Sequence, residues 1–480
     1  MNRQIAQLFG LVMVLFALLV AFTSYWAVFE ADSLGNHRAN QRPLLEEQRI
    51  PRGLILARDG TVLARSRAEG TGSARRFVRS YPAGPLFSHV VGYSFIDRGR
   101  AGLERSLDDA LSGRVNEFAS LIDQLQGSRR EGYDVHTTLD VAAQRTAVQA
   151  LGTQAGSIVA LEPATGRIRV MASSPAFDPN DIPSLFSRIN ADRASPVFNR
   201  ATQARYPPGS TFKVVTATAA LDSARYTPDS IVDGRSPKTI DGVPLENFGG
   251  EDYGPITLTT ALTNSVNTVW AEVGEKLGRE TLFKYMERFG FGAEPPVDYP
   301  TDQLTPSGIF DRRGRLLGAG AGVDLGRVAI GQERLQVTPL QMAMVAGAVG
   351  NGGRLMEPRL VERVVARDGR VKERIKPQQA EKVMSPRTAA ALAQMMSKVV
   401  QEGSGTASAL SGIEVAGKTG TAEVDGGAAN QAWFIAFAPV TSPRIAVAVT
   451  IERTQGQGGT VAAPIAKRIL EQLLSPRAGR

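Results

Sequence analysis

A chain of 480 residues is longer than one hydrophobic core usually organises, so two or three domains are expected. With 42% hydrophobic and 21% charged residues it is neither collagen-like nor wholly disordered. Basic residues outnumber acidic ones, 55 to 47, for a net charge of +8. No clustered basic helix with interleaved aromatics accompanies that excess, so no nucleic-acid partner is read from it. There is no cysteine, which excludes thiolate nucleophiles, disulfides and cysteine-ligated metals. The three histidines are His37, His89 and His136, so the chain after residue 136 cannot by itself supply a Ser-His-Asp triad or a His-Glu-x-x-His zinc helix. Acyl-transfer or hydrolytic chemistry there needs another base, and the ten lysines, the first of which is Lys213, are the place to look.

Residues 4–29 carry no formal charge and are rich in Leu, Val, Ala and Phe, where about 20 apolar residues span a bilayer. A cleaved signal peptide would have a shorter apolar region and a small-residue cleavage site, so an uncleaved anchor is the reading. Arg3 precedes the span and Glu30 and Asp32 follow it, which puts the N-terminus in the cytoplasm and the rest of the chain outside; Tyr25 and Trp26 suit an interfacial belt.

Residues 31–150 are Arg-rich and broken by Gly and Pro. Short strands are expected at 53–57 and 61–64, joined through Asp59-Gly60, with interrupted helix over 100–125. A helix over 140–151 is capped by Asp140. The character changes at about residue 151. Residues 157–162 and 167–173 alternate around a Pro163–Gly166 turn and predict a hairpin, and strands are expected at 414–423, 432–438 and 444–452. A helix over 462–474 carries Ile465, Ile469, Leu470 and Leu473 on one stripe, and 205–400 reads as mostly helical with Gly/Pro-rich loops. The result is a mixed α+β chain in three parts: 1–30 as stub and anchor, 31–150 as membrane-proximal domain, and 151–480 as a domain with an antiparallel sheet and helices on its faces.

Three short motifs carry the chemistry. Pro207-Pro208-Gly209-Ser210-Thr211-Phe212-Lys213 leads into an apolar helix that Ser210 is expected to start, and Ser210 is the only serine with a lysine three residues on. Positions i and i+3 share a helix face, so the amine can reach the hydroxyl. Burial beside another cation lowers a lysine pKa and lets a neutral amine take the serine proton. Asn264-Ser265-Val266-Asn267-Thr268 falls at a second helix start, where Ser265 and Asn267 can project into one cleft, although Ser and Asn are also common caps. Ala416-Gly417-Lys418-Thr419-Gly420-Thr421-Ala422 lies in a predicted strand. A lysine and two hydroxyls beside an open strand edge suit a peptide carboxylate, while a glycine-rich bulge with a solvated lysine is the bland alternative.

In this order the three motifs resemble the Ser-x-x-Lys, Ser-x-Asn, Lys-Thr-Gly signature of penicillin-binding proteins and serine β-lactamases. The chain resembles a class B penicillin-binding protein over nearly its whole length. Arg52-Gly53-Leu54-Ile55 and Gly102-Leu103-Glu104 are similar to that family's membrane-proximal motifs. Gly254–Leu258, Gly331-Gln332 and Val337–Gln341 are similar to stretches of its catalytic domain. Small single-anchor members from actinobacteria are the nearest resemblance.

The resemblance implies an elongated, mostly-β pedestal with a dimerisation-like fold and a penicillin-binding domain built on a five-stranded antiparallel sheet. It implies a D,D-transpeptidase that cross-links peptidoglycan stem peptides ending in D-Ala-D-Ala, is acylated by β-lactam antibiotics, needs no cofactor or metal, and works beside a SEDS-type glycan polymerase in the membrane. By the same resemblance Ser210 is the nucleophile, Lys213 the general base and Ser265 the proton relay. Asn267 binds the substrate amide; Lys418, Thr419 and Thr421, with Gly420 between them, hold the carboxylate; and the amides of Ser210 and Thr421 form the oxyanion hole. A β-lactamase, a β-lactam sensor or a non-catalytic cell-wall scaffold would share the motifs. A bifunctional glycosyltransferase lacks the room ahead of residue 151.

Overall fold

A computed structural model describes residues 2–28, 48–72, 75–114, 131–318, 320 and 322–475. The chain divides into two compact units, Met1–Pro51 with Arg67–Val78, and Arg52–Ser66 with Arg79–Arg480. In the first, α1 (Asn2–Val28) is exposed from Arg3 to Trp26, a stretch long and apolar enough to cross a membrane. The Thr23 hydroxyl inside it donates back to Leu19 O at 2.8 Å, so its polar group is satisfied within the helix.

The second unit is built on alternation. Helix α2 (Val141–Leu151) starts where Asp140 accepts from Ala143 N at 3.1 Å, and it buries Ala143, Ala147 and Leu151 at helical spacing. Strands β1 (Gly156–Leu161) and β2 (Ile168–Ser174) form the expected hairpin. Helices α3 (Lys213–Asp222), α4 (Asn267–Arg288), α5 (Pro339–Gly350) and α6 (Pro386–Gln401) follow. The chain then returns to the sheet as β3 (Ala416–Val424), β4 (Ala429–Ala438) and β5 (Ile445–Thr454), and closes with α7 (Ala463–Leu474).

The five strands form one antiparallel sheet in the order β3-β4-β5-β1-β2, so β3 is an edge strand. Both faces are covered. Ile158, Ala160, Phe434, Ala436, Val447 and Val449 pack with α2 and α7 on one side. Their sequence neighbours Val159, Leu161, Trp433, Ile435, Phe437, Ala446 and Ala448 join the core of α3, α5 and α6 on the other. Side chains alternate across a strand, and two buried faces therefore require the nearly unbroken apolar runs seen in β4 and β5. Each large side chain buried this way contributes about 1.5–3 kcal/mol. Helix α5, without a charged residue and capped by Thr338 Oγ1 accepting from Gln341 N, is buried from Pro339 to Val349.

A second sheet brings distant segments together. Ile55–Leu56 pairs antiparallel with Val62–Glu69, as the Asp-Gly turn predicts, and parallel with Asp134–Thr137. The hairpin Val361–Val365 with Val371–Arg374 then pairs through its first strand with Asp134–Thr137. These two strands fall in the stretch expected to be mostly helical. Only Val361 and Val364 of the first are buried and the second is wholly exposed, so the period-2 pattern is too short to read from the sequence. Of the expected helix over 100–125, Leu103–Ser106 and Asp108–Ser112 are helical, and residues 115–130 lie outside the described residues.

The two membrane-proximal motifs meet in this sheet's surroundings. Arg52 is paired with Glu104 at 3.1 Å and with Asp108 at 2.5 Å, and Arg79 reaches the other Glu104 oxygen while donating to Gly53 O at 2.8 Å. Glu104 is fully buried. A Cβ on Gly53 would stand 1.8 Å from Tyr133 O, so only glycine lets the two backbones approach here. Glu104→Ala, which leaves two buried guanidinium groups short of their counter-charge, is predicted to lower stability by about 3–5 kcal/mol. Asp302→Ala, whose partner Arg105 is half exposed, is predicted to change it by no more than about 1 kcal/mol. Denaturant titration of the full chain in detergent measures both, and equal effects would contradict the assignment.

Candidate active site

Ser210 lies on a tight turn whose shape is set by glycines. Gly209 adopts φ +52 and donates to Gly331 O at 3.0 Å, and a Cβ on Gly331 would fall 1.9 Å from Gly209 O. The Thr211 hydroxyl turns back to Pro208 O at 2.8 Å. That local bond favours a 3₁₀ turn, which spans Gly209–Phe212, so the α-helix opens at Lys213 and not at Ser210 as expected. Residues i and i+3 eclipse in such a turn, which keeps Ser210 and Lys213 on one side. Phe212 anchors the turn edge-on against Phe291, with ring centroids 5.6 Å apart.

Lys213 is completely buried, because α3 continues as Val, Ala and Thr through Ala220, all of them inside the core. Its Nζ donates to Ser265 O at 2.6 Å and Asn267 Oδ1 at 2.7 Å, and lies 3.2 Å from Ser265 Oγ. Lys418, also completely buried, donates from Nζ to the same Ser265 Oγ at 2.9 Å and to Thr419 O at 3.1 Å. One hydroxyl oxygen thus joins two buried amines. Burial, and then the charge of Lys418, holds the Lys213 amine well below the ordinary lysine range. Burial pushes Lys418 down to about 7. Two ammonium ions on one hydroxyl repel each other, so a neutral amine is the stable partner of a charged one.

Ser265 is held at φ +58, between the short helix Leu258–Thr263 and α4. Val266 N returns to Ala261 O at 2.9 Å, so Ser265 takes the left-handed position that glycine usually fills at a helix end. A non-glycine residue there costs about 1–3 kcal/mol, and the bridging hydroxyl is what glycine would lose. Asn267, the first residue of α4, directs Nδ2 to Glu246 O at 3.3 Å.

The open edge of β3 faces the Ser210 turn. A Cβ on Gly420 would stand 2.6 Å from Pro208 O, and one on Gly209 would stand 2.9 Å from Thr421 O. Lys418 points to one side of β3, toward Ser265, and Thr419 and Thr421 to the other. Thr419 Oγ1 shares a 2.6 Å hydrogen bond with Ser404 Oγ, and Thr421 Oγ1 accepts from Gly458 N at 3.2 Å. All eight residues singled out in the sequence are therefore gathered around one turn, one loop and one strand edge. Among the described residues no hydrogen bond joins Lys213 Nζ to Ser210 Oγ, and the Ser210 hydroxyl has no partner; such contacts commonly tighten only when substrate binds.

Residues 156–471 match the penicillin binding protein transpeptidase domain family, and residues 52–135 match the penicillin binding protein A dimerisation domain. The chain belongs to the penicillin-binding protein transpeptidase family. Among its relatives, the peptidoglycan D,D-transpeptidase PbpA of Mycolicibacterium smegmatis is 34% identical over 504 aligned positions, covering 99% of each chain. Stage V sporulation protein D of Bacillus subtilis is 32% identical, over 85% of this chain and 65% of that protein. Among solved structures, the imipenem acyl-enzyme complex of penicillin-binding protein A from M. tuberculosis superposes with a TM-score of 0.80 at 32% identity, over 90% of this chain and all of that one. A D,D-transpeptidase domain from Eggerthella lenta gives 0.78 at 34%, over 89% and 98%.

In this penicillin-binding protein some supporting contacts had no motif to announce them. Ser404 fixes Thr419, and Trp433 Nε1 donates to Pro207 O at 3.0 Å, tying the nucleophile's turn to β4. Lys418 gives a stability test. Burial lowers its amine to about 7, whereas the unfolded chain keeps the ordinary 10.5, so between these values the unfolded state holds a proton that the folded state has released. Stability from this group therefore rises with pH over that window, and the penalty is full below about 7. Lys418→Met, similar in volume, is predicted to be more stable than the parent at pH 6, with a gap that narrows toward pH 9.5. A pH-independent gap, measured by denaturant titration, would refute this.

Proposed function

We propose that the chain is a peptidoglycan D,D-transpeptidase that works through an acyl-enzyme on Ser210 and is acylated there by β-lactams. The observation that carries this reading is the single Ser265 Oγ held between Lys213 and Lys418, next to a serine turned against an open strand edge. It supplies a base without histidine, in a chain that has no histidine after residue 136. The names and acyl-enzyme complexes of the relatives support the same chemistry.

In the mechanism, neutral Lys213 keeps two N–H bonds to Ser265 O and Asn267 Oδ1 and directs its lone pair at the Ser210 proton. Ser210 Oγ attacks the carbonyl between the last two D-alanines of a donor stem peptide. The amides of Ser210 and Thr421 receive the oxyanion, each donor accounting for about 10²–10³ in rate. The proton passes from Lys213 through the Ser265 hydroxyl to the leaving nitrogen as the C–N bond breaks, and D-alanine departs. An amine from a neighbouring stem peptide then attacks the ester, returns its proton along the same path to Ser210 and completes the cross-link. Asn267 binds the donor's amide; Lys418, Thr419 and Thr421, about Gly420, hold its terminal carboxylate.

Residues 1–30 are the anchor, 31–150 the pedestal and 151–480 the catalytic domain in this reading. The N-terminus is cytoplasmic and the site lies outside the membrane, supported by Arg3 before the apolar span and Glu30 and Asp32 after it. The chain's partner in this reading is a SEDS-type polymerase in the membrane, as the resemblance to class B penicillin-binding proteins implies.

Incubation of the full chain in detergent with a fluorescent penicillin is predicted to label Ser210, located by mass spectrometry, and the label is predicted to leave slowly. Labelling that persists in Ser210→Ala would overturn the nucleophile, and rapid release would point to a β-lactamase.

A further inference from the structure

A cavity of about 430 Å³, lined wholly by residues of the second unit, lies where segment 88–105 meets segments 177–203 and 299–303. The first segment falls in the stretch that matches the dimerisation domain and the other two in the transpeptidase match, so two parts of the chain share one wall. They are tied together beside it. The Tyr299 hydroxyl donates to His89 O at 2.5 Å and accepts from Asn199 Nδ2 at 3.2 Å. A space of this size is within the range of small-molecule sites, about 300–1,000 Å³.

The wall combines aromatic rings with neutral polar groups that have bonding capacity to spare. His89 and Tyr93 both stand edge-on to Phe177, with ring centroids 5.6 and 6.3 Å away. His89 Nε2 donates to Pro196 O at 2.8 Å, which leaves Nδ1 as an acceptor, and burial lowers this imidazole to about 4, so it stays neutral. Gln203 Oε1 accepts from Asn199 N at 3.0 Å, and its Nε2 donates to nothing among the described residues. The hydroxyls of Tyr93 and of the buried Ser88 have no partner there either. The charges on the wall are already matched, Arg100 with Asp108 at 3.1 Å and Arg105 with Asp302 at 2.6 Å.

These features select among ligands. An ammonium would find no carboxylate on the wall, an anion would have to displace an existing arginine pair, and a plain hydrocarbon would leave the polar groups unmet. A pyranose has C–H faces that lie on the negative faces of aromatic rings, and hydroxyls that both donate and accept. An acetamido substituent adds a carbonyl for an amide donor such as Gln203 Nε2 and a methyl for the rings. The choice among sugars rests on the transpeptidase reading, because stem peptides hang from a glycan of N-acetylated amino sugars.

We infer that this cavity is a carbohydrate site that takes an N-acetylated amino sugar of the glycan strand, separate from the site of acyl transfer. His89, Tyr93 and Gln203 hold the sugar's hydroxyls and acetamido group and take no part in bond making.

The test uses the full chain in a detergent without a sugar head group, with Ser210 occupied by benzylpenicillin. Saturation-transfer NMR then follows chitotetraose, a linear tetramer of N-acetylglucosamine. Saturation is expected to reach its acetyl methyl protons, and maltotetraose, which lacks the acetamido group, is expected to bind about tenfold more weakly. Tyr93→Phe and Gln203→Glu, the second of which keeps Oε1 for Asn199 N, are each expected to weaken chitotetraose about fivefold, the scale of one neutral hydrogen bond, with penicillin labelling unchanged. Should Gln203→Glu fail to fold, Tyr93→Phe decides alone. No transfer to chitotetraose, equal binding of the two sugars, or an affinity unmoved by Tyr93→Phe overturns this inference and, with Ser210 still labelled, leaves the transpeptidase reading standing. Absence of the penicillin label overturns both.

Discussion

One oxygen atom, Ser265 Oγ, stands between the amines of Lys213 and Lys418, and the rest of the site is arranged so that this contact can exist. Two fully buried lysines in a core of Val, Ala and Phe are unfavourable unless their protons are placed or lost. Sharing a hydroxyl does both. It gives each amine a polar partner, and the mutual repulsion of two ammonium ions leaves a neutral amine in a water-poor setting. The strain at Ser265, a serine where a helix end favours glycine, belongs to the same arrangement.

The fold supplies the three elements that converge on that oxygen. Lys213 is carried by α3 through the core, Ser265 by the joint between two helices, and Lys418 by a strand covered on both faces but open at its edge. Among the described residues no further strand pairs with that edge, so it can receive extended peptide, with main-chain bonds giving alignment and side-chain pockets giving specificity. The close approach of the Ser210 turn to β3 depends on Gly209 and Gly420, since a Cβ at either would meet backbone. The glycines flanking the active groups are packing requirements as much as turn signals.

Much of this was legible in the sequence where a pattern is local. Alternation located the first hairpin of the central sheet and apolar runs its last strands, Asp140 announced its helix, and the motif spacing singled out the lysines that meet Ser265. Contacts made by residues far apart in the chain were not legible. The pairing of Arg52 with Glu104 joins two short motifs whose separate presence says nothing of their meeting. The hairpin over Val361–Arg374 carries too few buried positions to show its period. Ser210 was expected to open the α-helix, but the Thr211 hydroxyl on Pro208 O inserts a 3₁₀ turn first, a local competition that helix propensity does not describe. The hydroxyl tie of Ser404 to Thr419 likewise depends on tertiary placement alone.

A neutral Lys213 acting on Ser210 makes the acylation rate itself a titration of the buried pair. The decisive measurement is the second-order rate constant for penicillin acylation of the full chain as a function of pH, from about 5 to about 10. The rate is predicted to climb with pH and level off, with a midpoint well below the ordinary lysine value of 10.5 because burial and Lys418 disfavour the Lys213 ammonium. A rate that is flat across the range, or that rises only near 10.5, would contradict the neutral-lysine mechanism.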